Sequence, residues 1–196
     1  NAHSNLGNIL KDLGKLKEAE ISTRKAIEIN PDFANAHSNL GNILKDLGKL
    51  KDAEISTRKA IEINPDLAEA HSNLGSILKD LGNLQEAFNS YLKVIDINPT
   101  YSNVYPLITR FLRDSDPSHL NKSKLKYTLN ILLEKNDVQH KELFKAFNFV
   151  YSNEIIRSLE KFDSDFSKIE LLINDKVIVN PLKKIIFRDL KLEETL

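Results

Sequence analysis

The sequence predicts an all-α fold, a solenoid of stacked helix pairs followed by an irregular α-helical region. Three observations predict it. Residues 1–34 recur at 35–68 with two changes, Glu18 to Asp52 and Phe33 to Leu67. Residues 69–102 follow at the same 34-residue spacing with 13 changes relative to the first unit. Within each unit the apolar residues recur with a helical period rather than a strand period. Such a repeat means stacked units, none of which buries its apolar face alone.

The second unit shows the elements in order. Leu40, Ile43, Leu44 and Leu47 lie at i, i+3, i+4 and i+7, one face of a first helix. Gly48 supplies the turn that ends it, where a Cβ is costly. A second helix starts near Lys51, with Ala53, Ala60, Ile61 and Ile63 on its apolar side. Its small residues let two helices approach closely. Asn64-Pro65 stops it, because proline lacks an N–H and restricts the residue before it.

His37, Leu40-Gly41, Leu44, Ala53, Thr57, Ala60 and Pro65 stand at the spacing of the tetratricopeptide repeat (TPR), which the unit resembles. The small residues and the proline match that pattern, whereas three aromatic positions hold His, Leu and Thr. The Ala-His-Ser-Asn-Leu-Gly variant is similar to repeats of O-GlcNAc transferases and related bacterial proteins. The resemblance covers residues 1–101 and implies a right-handed TPR superhelix of three units, 1–34, 35–68 and 69–101. It also implies that the first helix of each unit lines a concave groove, with an Asn ladder at Asn5, Asn39 and Asn73.

A wheel at about 100° per residue reaches the same face from the residues alone. In unit two, Asn35, Asn39, Asn42 and Asp46 form one stripe away from the apolar centre at Leu40. Unit one repeats it with Asn1, Asn5, Asn8 and Asp12, and unit three with Glu69, Asn73, Ser76 and Asp80. Lys11, Lys45 and Lys79 flank the stripes. Asn is a poor helix former, so its recurrence inside helices calls for a reason. Its amide both donates and accepts, matching a backbone peptide group, so a row of such amides can hold an extended chain. Asn39 is the expected central anchor. The competing account is a solvated Asn-rich surface copied by duplication. With only flanking lysines on the stripe, a clamp for acidic C-termini is disfavoured.

His3, His37 and His71 also recur every 34 residues. Ligands of one metal need nitrogens about 3 Å apart, given Zn–N bonds of about 2.0–2.1 Å. Packed helices lie about 8–10 Å apart. Half-buried packing histidines are the expectation.

Unit three departs from the pattern where Glu20, Thr23, Arg24 and Ala26 of unit one become Phe88, Tyr91, Leu92 and Val94. More bulk and less charge there predict a junction with something other than an ordinary repeat. Residues 102–196 read as a helical C-terminal region whose first helix, 102–113, is a decayed first helix of a fourth unit. Pro106 is tolerated in its first turn. Asp114 to His119 reads as a turn, and helices follow over 121–135, 139–151, 153–162, 165–174 and 181–190. Ser152 or Asn153, Asp163-Ser164-Asp165 and Asn180-Pro181 are the expected caps. Phe144, Phe147 and Tyr151 mark one face, broadened by Phe149 and Val150, which reads as core. Lys183-Lys184 and Arg188 read as a solvated edge. The pairs Asp114/Asp116 and Asp163/Asp165 have the spacing of metal–nucleotide sites, but capping explains them. Residues 141–196 resemble a helical linker between TPRs and a methyltransferase-like domain.

Composition narrows the function. Lys+Arg and Asp+Glu are 28 each, so the net charge is zero. A polybasic nucleic-acid or membrane binder is therefore disfavoured. Cys is absent, which removes thiol nucleophiles, disulfides and Cys-ligated metals. All six glycines fall in the repeats, which leaves no Gly-rich phosphate loop in residues 103–196. No apolar run approaches the roughly 20 residues of a membrane span. No signal peptide is visible and a cytoplasmic location is expected. The chain opens with Asn1 and lacks Met, as an excerpt would.

The expected function is a non-enzymatic interaction scaffold that binds an extended peptide along the groove. The alternative is a non-catalytic recognition arm of a larger glycosyltransferase or methyltransferase. No cofactor and no metal are expected. The expected partner is a protein or peptide, not nucleic acid or membrane. Self-association through the uncapped N-terminal repeat is a structural alternative.

Overall fold

The structure, a computed structural model, describes residues 2–101, 103–135 and 138–160, with side chains described through residue 153. Among the described residues there are nine α-helices and no strand. The chain divides into two compact units, the first covering Asn1–Val104 and the second beginning at Tyr105.

The first unit holds three helix pairs: α1 (Ala2–Asp12) with α2 (Leu16–Ile29), α3 (Ala34–Asp46) with α4 (Leu50–Ile63), and α5 (Ala68–Asp80) with α6 (Leu84–Ile97). Each pair packs internally, and α2 packs on α3 and α4 on α5. The apolar stripe predicted for α3 is buried at Leu40, Ile43 and Leu44, with Leu47 half-buried at the helix end. Ala53 and Ala60 are fully buried, while Ile61 and Ile63 are half-buried.

Two glycines in each unit have different reasons. Gly48 has φ +74°, a left-handed conformation that side chains disfavour. Its N–H bonds to the Lys45 carbonyl and the next N–H, from Lys49, bonds to the Leu44 carbonyl. That pair of bonds closes α3 and turns the chain into α4. Gly41 is helical, and its constraint is contact. A Cβ there would lie 2.0 Å from Thr57 Oγ1 and 3.2 Å from the Ala53 carbonyl oxygen. The α3–α4 crossing is therefore set by the absence of a side chain.

In unit three the Thr57 position holds Tyr91, only 1% exposed, whose ring fills the space beside Gly75. Its hydroxyl lies 3.3 Å from Ser76 Oγ. The larger side chain accompanies the change of Asn42 to Ser76, a shorter neighbour. Phe88 and Val94 are fully buried and Leu92 is half-buried.

The second unit contains α7 (Val104–Asp114, of which Val104 closes the first unit), a 3-10 turn (Pro117–His119), α8 (Lys122–Leu133), a second 3-10 turn (His140–Leu143) and α9 (Phe144–Glu160). Its core includes Ile108, Phe111, Leu125, Leu129, Phe147 and Tyr151. Tyr151 donates to Asn130 Oδ1 at 3.1 Å, and Lys145 Nζ donates to the Ser115 carbonyl at 2.9 Å.

Three expectations for this region need correction. The helices expected over 139–151 and 153–162 are one helix, α9, preceded by a 3-10 turn. Val150 and Tyr151 are both buried, and an unbroken helix keeps the backbone paired beside them, so no cap forms at Ser152 or Asn153. Phe144 shares the helical spacing of Phe147 and Tyr151 but is 58% exposed, so the buried part of that face begins after it. It is the residue at which the 3-10 turn ends and α9 begins. Asp114 does not start a helix but ends α7, beside Arg113. Asp116 is a cap, accepting from the Ser118 N–H at 3.0 Å, and that bond lowers its pKa. The expected helices over 165–174 and 181–190, the caps at Asp163-Ser164-Asp165 and Asn180-Pro181, and the edge at Lys183-Lys184 and Arg188 lie outside the described residues.

Candidate interaction face of the repeats

The polar stripe contains two chemically different rows. In the first row, Asn39 and Asn73 are half-buried. Asn39 Nδ2 donates to Ser4 Oγ at 3.0 Å, and Asn73 Nδ2 donates to Ser38 Oγ at 3.1 Å. Ser4 and Ser38 are buried, 2% and 1% exposed. Each bond crosses from one repeat to the one before it. The reason is local: the serine and the asparagine are adjacent in each helix, so stacking brings one unit's serine against the next unit's asparagine. Among the described residues, no hydrogen bond reaches the Oδ1 of either amide. Asn5, the third member of this row, is exposed.

In the second row, Asn8 and Asn42 are half-buried, and among the described residues neither side chain has a hydrogen-bond partner. Ser76, at the same position in unit three, faces the Tyr91 hydroxyl. Burial raises the Tyr91 pKa, and the nearby Asp80 carboxylate raises it further. Asn35, Asp12, Asp46, Glu69 and Asp80 are exposed and form the rim. Lys11 Nζ lies 3.7 Å from Asp12 and 3.9 Å from Asp46. Lys45 and Lys79 are half-buried, and among the described residues Lys45 has no ion pair. Asn1 lies outside the described residues.

The histidine row fastens the turns between units. His37 Nε2 is 2.8 Å from the Pro31 carbonyl oxygen, and His71 Nε2 is 2.8 Å from that of Pro65. Among the described residues no three His, Asp or Glu side chains group as a metal site.

Cavities of about 660 and 610 Å³ open between successive units on another part of the surface. Ile27, Leu40, Leu44 and Ile55 supply apolar lining to the first, and Ile61 and Leu74 to the second. No stripe residue lines either one. The sequence reading missed them because their lining comes from residues of successive units that only stacking brings together.

Repeat-family profiles match this part of the chain: a TPR profile over residues 7–48, and the tetratricopeptide repeat profile over 34–67 and 68–101. Residues 7–101 are tetratricopeptide repeats. The TPR unit is also similar to solved structures. The first TPR of Spaghetti (RPAP3) bound to the HSP90 peptide SRMEEVD aligns at 23% identity and TM-score 0.53, covering 56% of this chain and 87% of that one. The Arabidopsis OM64 TPR domain aligns at 19% identity and TM-score 0.53, covering 56% and 91%. The first TPR domain of human RPAP3 aligns at 23% identity and TM-score 0.54, covering 56% and 86%. At these identities the likeness concerns the TPR fold. No curated protein matches the chain.

Proposed function

We propose that the TPR unit is a non-catalytic module that binds an extended peptide across the first helices of its repeats. The supporting observation is the state of the amides. Asn39 and Asn73 use their N–H groups between repeats, which fixes their rotamers and leaves Oδ1 to accept. Asn8 and Asn42 keep both donor and acceptor. Such an array offers acceptors at fixed positions, with complete carboxamides alongside. It matches the alternating N–H and C=O groups of an extended backbone. Ordering costs are reduced because the acceptors are already held. In keeping with this reading, the first TPR of Spaghetti (RPAP3), similar in fold, is solved bound to the HSP90 peptide SRMEEVD.

The seam bonds change which residues test the reading. Substituting Asn39 or Asn73 disturbs the stacking itself, so Asn8 and Asn42 are the informative pair. A peptide library displayed on phage is selected on the full chain, and the winning peptide is titrated by calorimetry. Replacing Asn8 and Asn42 together by Ala should weaken that peptide at least tenfold with little change in unfolding midpoint. N-methylation of single backbone amides in the peptide should weaken it similarly at alternate positions. A library that yields no binder, or a binder indifferent to both changes, overturns the proposal.

A further inference from the structure

A trough is left wherever two second helices rest on the first helix of the later unit: α2 and α4 on α3, then α4 and α6 on α5. These troughs are the cavities of about 660 and 610 Å³. They follow one 34-residue plan but differ at the mouth. In the second, Arg58 donates to Glu86 across the seam and also to Glu54 at 3.0 Å, so an ion pair bridges the opening. Asn89 on the same wall accepts from Gln85 at 3.1 Å. In the first, the position of Glu86 holds Asp52, one methylene shorter, and Arg24 stays on Glu20 at 2.9 Å. The position of Asn89 holds Ile55, 69% exposed.

The first trough is therefore open and apolar. Leu40 and Leu44 of α3 form its floor, and Ile27 of α2 and Ile55 of α4 its walls. The polar lining is already engaged: Ser56 donates to the His37 carbonyl at 3.1 Å, and the His37 ring meets the Pro31 carbonyl at 2.8 Å. Three of the charges on its rim are paired within their own helices, Arg24 with Glu20 at 2.9 Å, Glu28 with Lys25 at 3.0 Å and Lys59 with Glu62 at 2.9 Å. The nearby Lys49 is held by Glu20 at 2.8 Å. Asp52 is exposed, and among the described residues it has neither a hydrogen bond nor an ion pair. What is left unsatisfied is apolar surface with one carboxylate beside it.

We propose that the trough between α2 and α4 is a docking site for an amphipathic helix of a partner protein, with bulky apolar residues on one stripe and a lysine or arginine beside it for Asp52. The shape specifies a helix. Asp52 and Lys59 mark two turns of α4 along the trough, about 10 Å, and two helices flanking a third form a groove that takes the apolar ridge of a fourth. The charge specifies the cation. An acidic helix would bring a second carboxylate to Asp52, whose neighbouring cations are already paired. The second trough, bridged by Arg58 and edged by Asn89, does not take such a helix. No residue of the polar stripe lines the first trough, so this site is independent of the peptide groove.

The test uses the full chain and a fluorescein-labelled helix of about 14 residues, hydrocarbon-stapled because short helices are marginal in water. The peptide carries leucines at i, i+4 and i+7, a lysine one turn beyond either end, and otherwise alanine and glutamine. Fluorescence anisotropy should show saturable binding of one peptide per chain. Exchanging its lysines for glutamine should weaken it about two- to fivefold, in line with a partly exposed ion pair. Asp52→Asn should weaken the lysine peptide by the same factor and leave the glutamine peptide unchanged. Ile55→Ser, at an exposed position that the core does not need, should weaken both peptides at least about tenfold. Asn89→Ser in the second trough should change neither, whereas Glu86→Asp with Asn89→Ile should open that trough and add a second bound peptide. A lysine peptide that does not saturate, or whose affinity ignores Asp52→Asn or Ile55→Ser, overturns the proposal. So does phenylbutylamine displacing the peptide at equal concentration, since a small amphiphilic amine would then be the occupant. Light scattering that shows the chain alone as a dimer dispersed by Ile55→Ser overturns it as well, in favour of a second copy.

Discussion

Gly41→Ala puts the helix-crossing argument to a quantitative test. On an unconstrained helix the change is favourable by about 1 kcal/mol, because alanine loses less chain entropy than glycine. Here the new Cβ would lie 2.0 Å from Thr57 Oγ1 and 3.2 Å from the Ala53 carbonyl oxygen. Thr57 is fully buried and donates to that carbonyl at 2.9 Å, so turning it away breaks a buried bond. Overpacking of this kind costs about 1–3 kcal/mol, and the lost bond adds about 1 kcal/mol. The net expectation is destabilisation by roughly 1–3 kcal/mol. Removing the hydroxyl should shrink the penalty: in a Thr57→Ala background the Cβ at position 57 and the Ala53 carbonyl oxygen still stand 3.2 Å from the new Cβ, so Gly41→Ala should cost at least about 1 kcal/mol less than in the parent. Urea unfolding followed by circular dichroism on the four proteins of this cycle gives the coupling. A Gly41→Ala effect of equal size in both backgrounds would refute the contact argument. Gly48→Ala is the control. Nothing lies within 4 Å of a Cβ there, yet φ is +74°, so it should cost about 1 kcal/mol whatever stands at Thr57.

Asn39→Ala should destabilise by about 0.5–1.5 kcal/mol through loss of the bond to Ser4, and Asn42→Ala by less, as compared by thermal unfolding. Glu20 has its pKa lowered, first by the hydrogen bond from Lys49, so its stabilising effect is present above the ordinary carboxylate pKa of 4.5 and is lost as pH falls through the lowered value. An acid titration of stability should therefore lose one inflection in Glu20→Gln, a variant that at neutral pH costs under about 1 kcal/mol. Tyr91→Phe should cost about 0.5–1.5 kcal/mol from the Ser76 contact, whereas Tyr91→Thr should cost several times more by emptying the space beside Gly75. Differential scanning calorimetry distinguishes the two.

The stacking plan was legible because two of the units are nearly the same 34-residue sentence. Helix period, the turn glycine and the terminal proline each point the same way in both. The engagement of Asn39 was not legible. Its partner, Ser4, is 35 residues away, and only the packed seam puts the two in contact. A helical wheel also treats every unit alike, so it could not show that Leu6 is 46% exposed and Leu40 4% exposed. In the second unit, aromatic spacing identified the buried Phe147 and Tyr151 but not the exposure of Phe144, because a wheel gives the face of a residue and not its distance from the helix end, and Phe144 is the first residue of α9. Ser152 and Asn153 looked like a cap because their residue types favour one. Type preference is worth less than keeping a buried helix hydrogen-bonded.

Units one and two differ at only two positions, so the polar stripe carries the same side chains in both. Tyr91 ends that equivalence from beneath: its ring, 1% exposed, fills the space beside Gly75, and Ser76 stands on the stripe where Asn8 and Asn42 stand in the units before it. The third unit is thereby chemically distinct from the two before it.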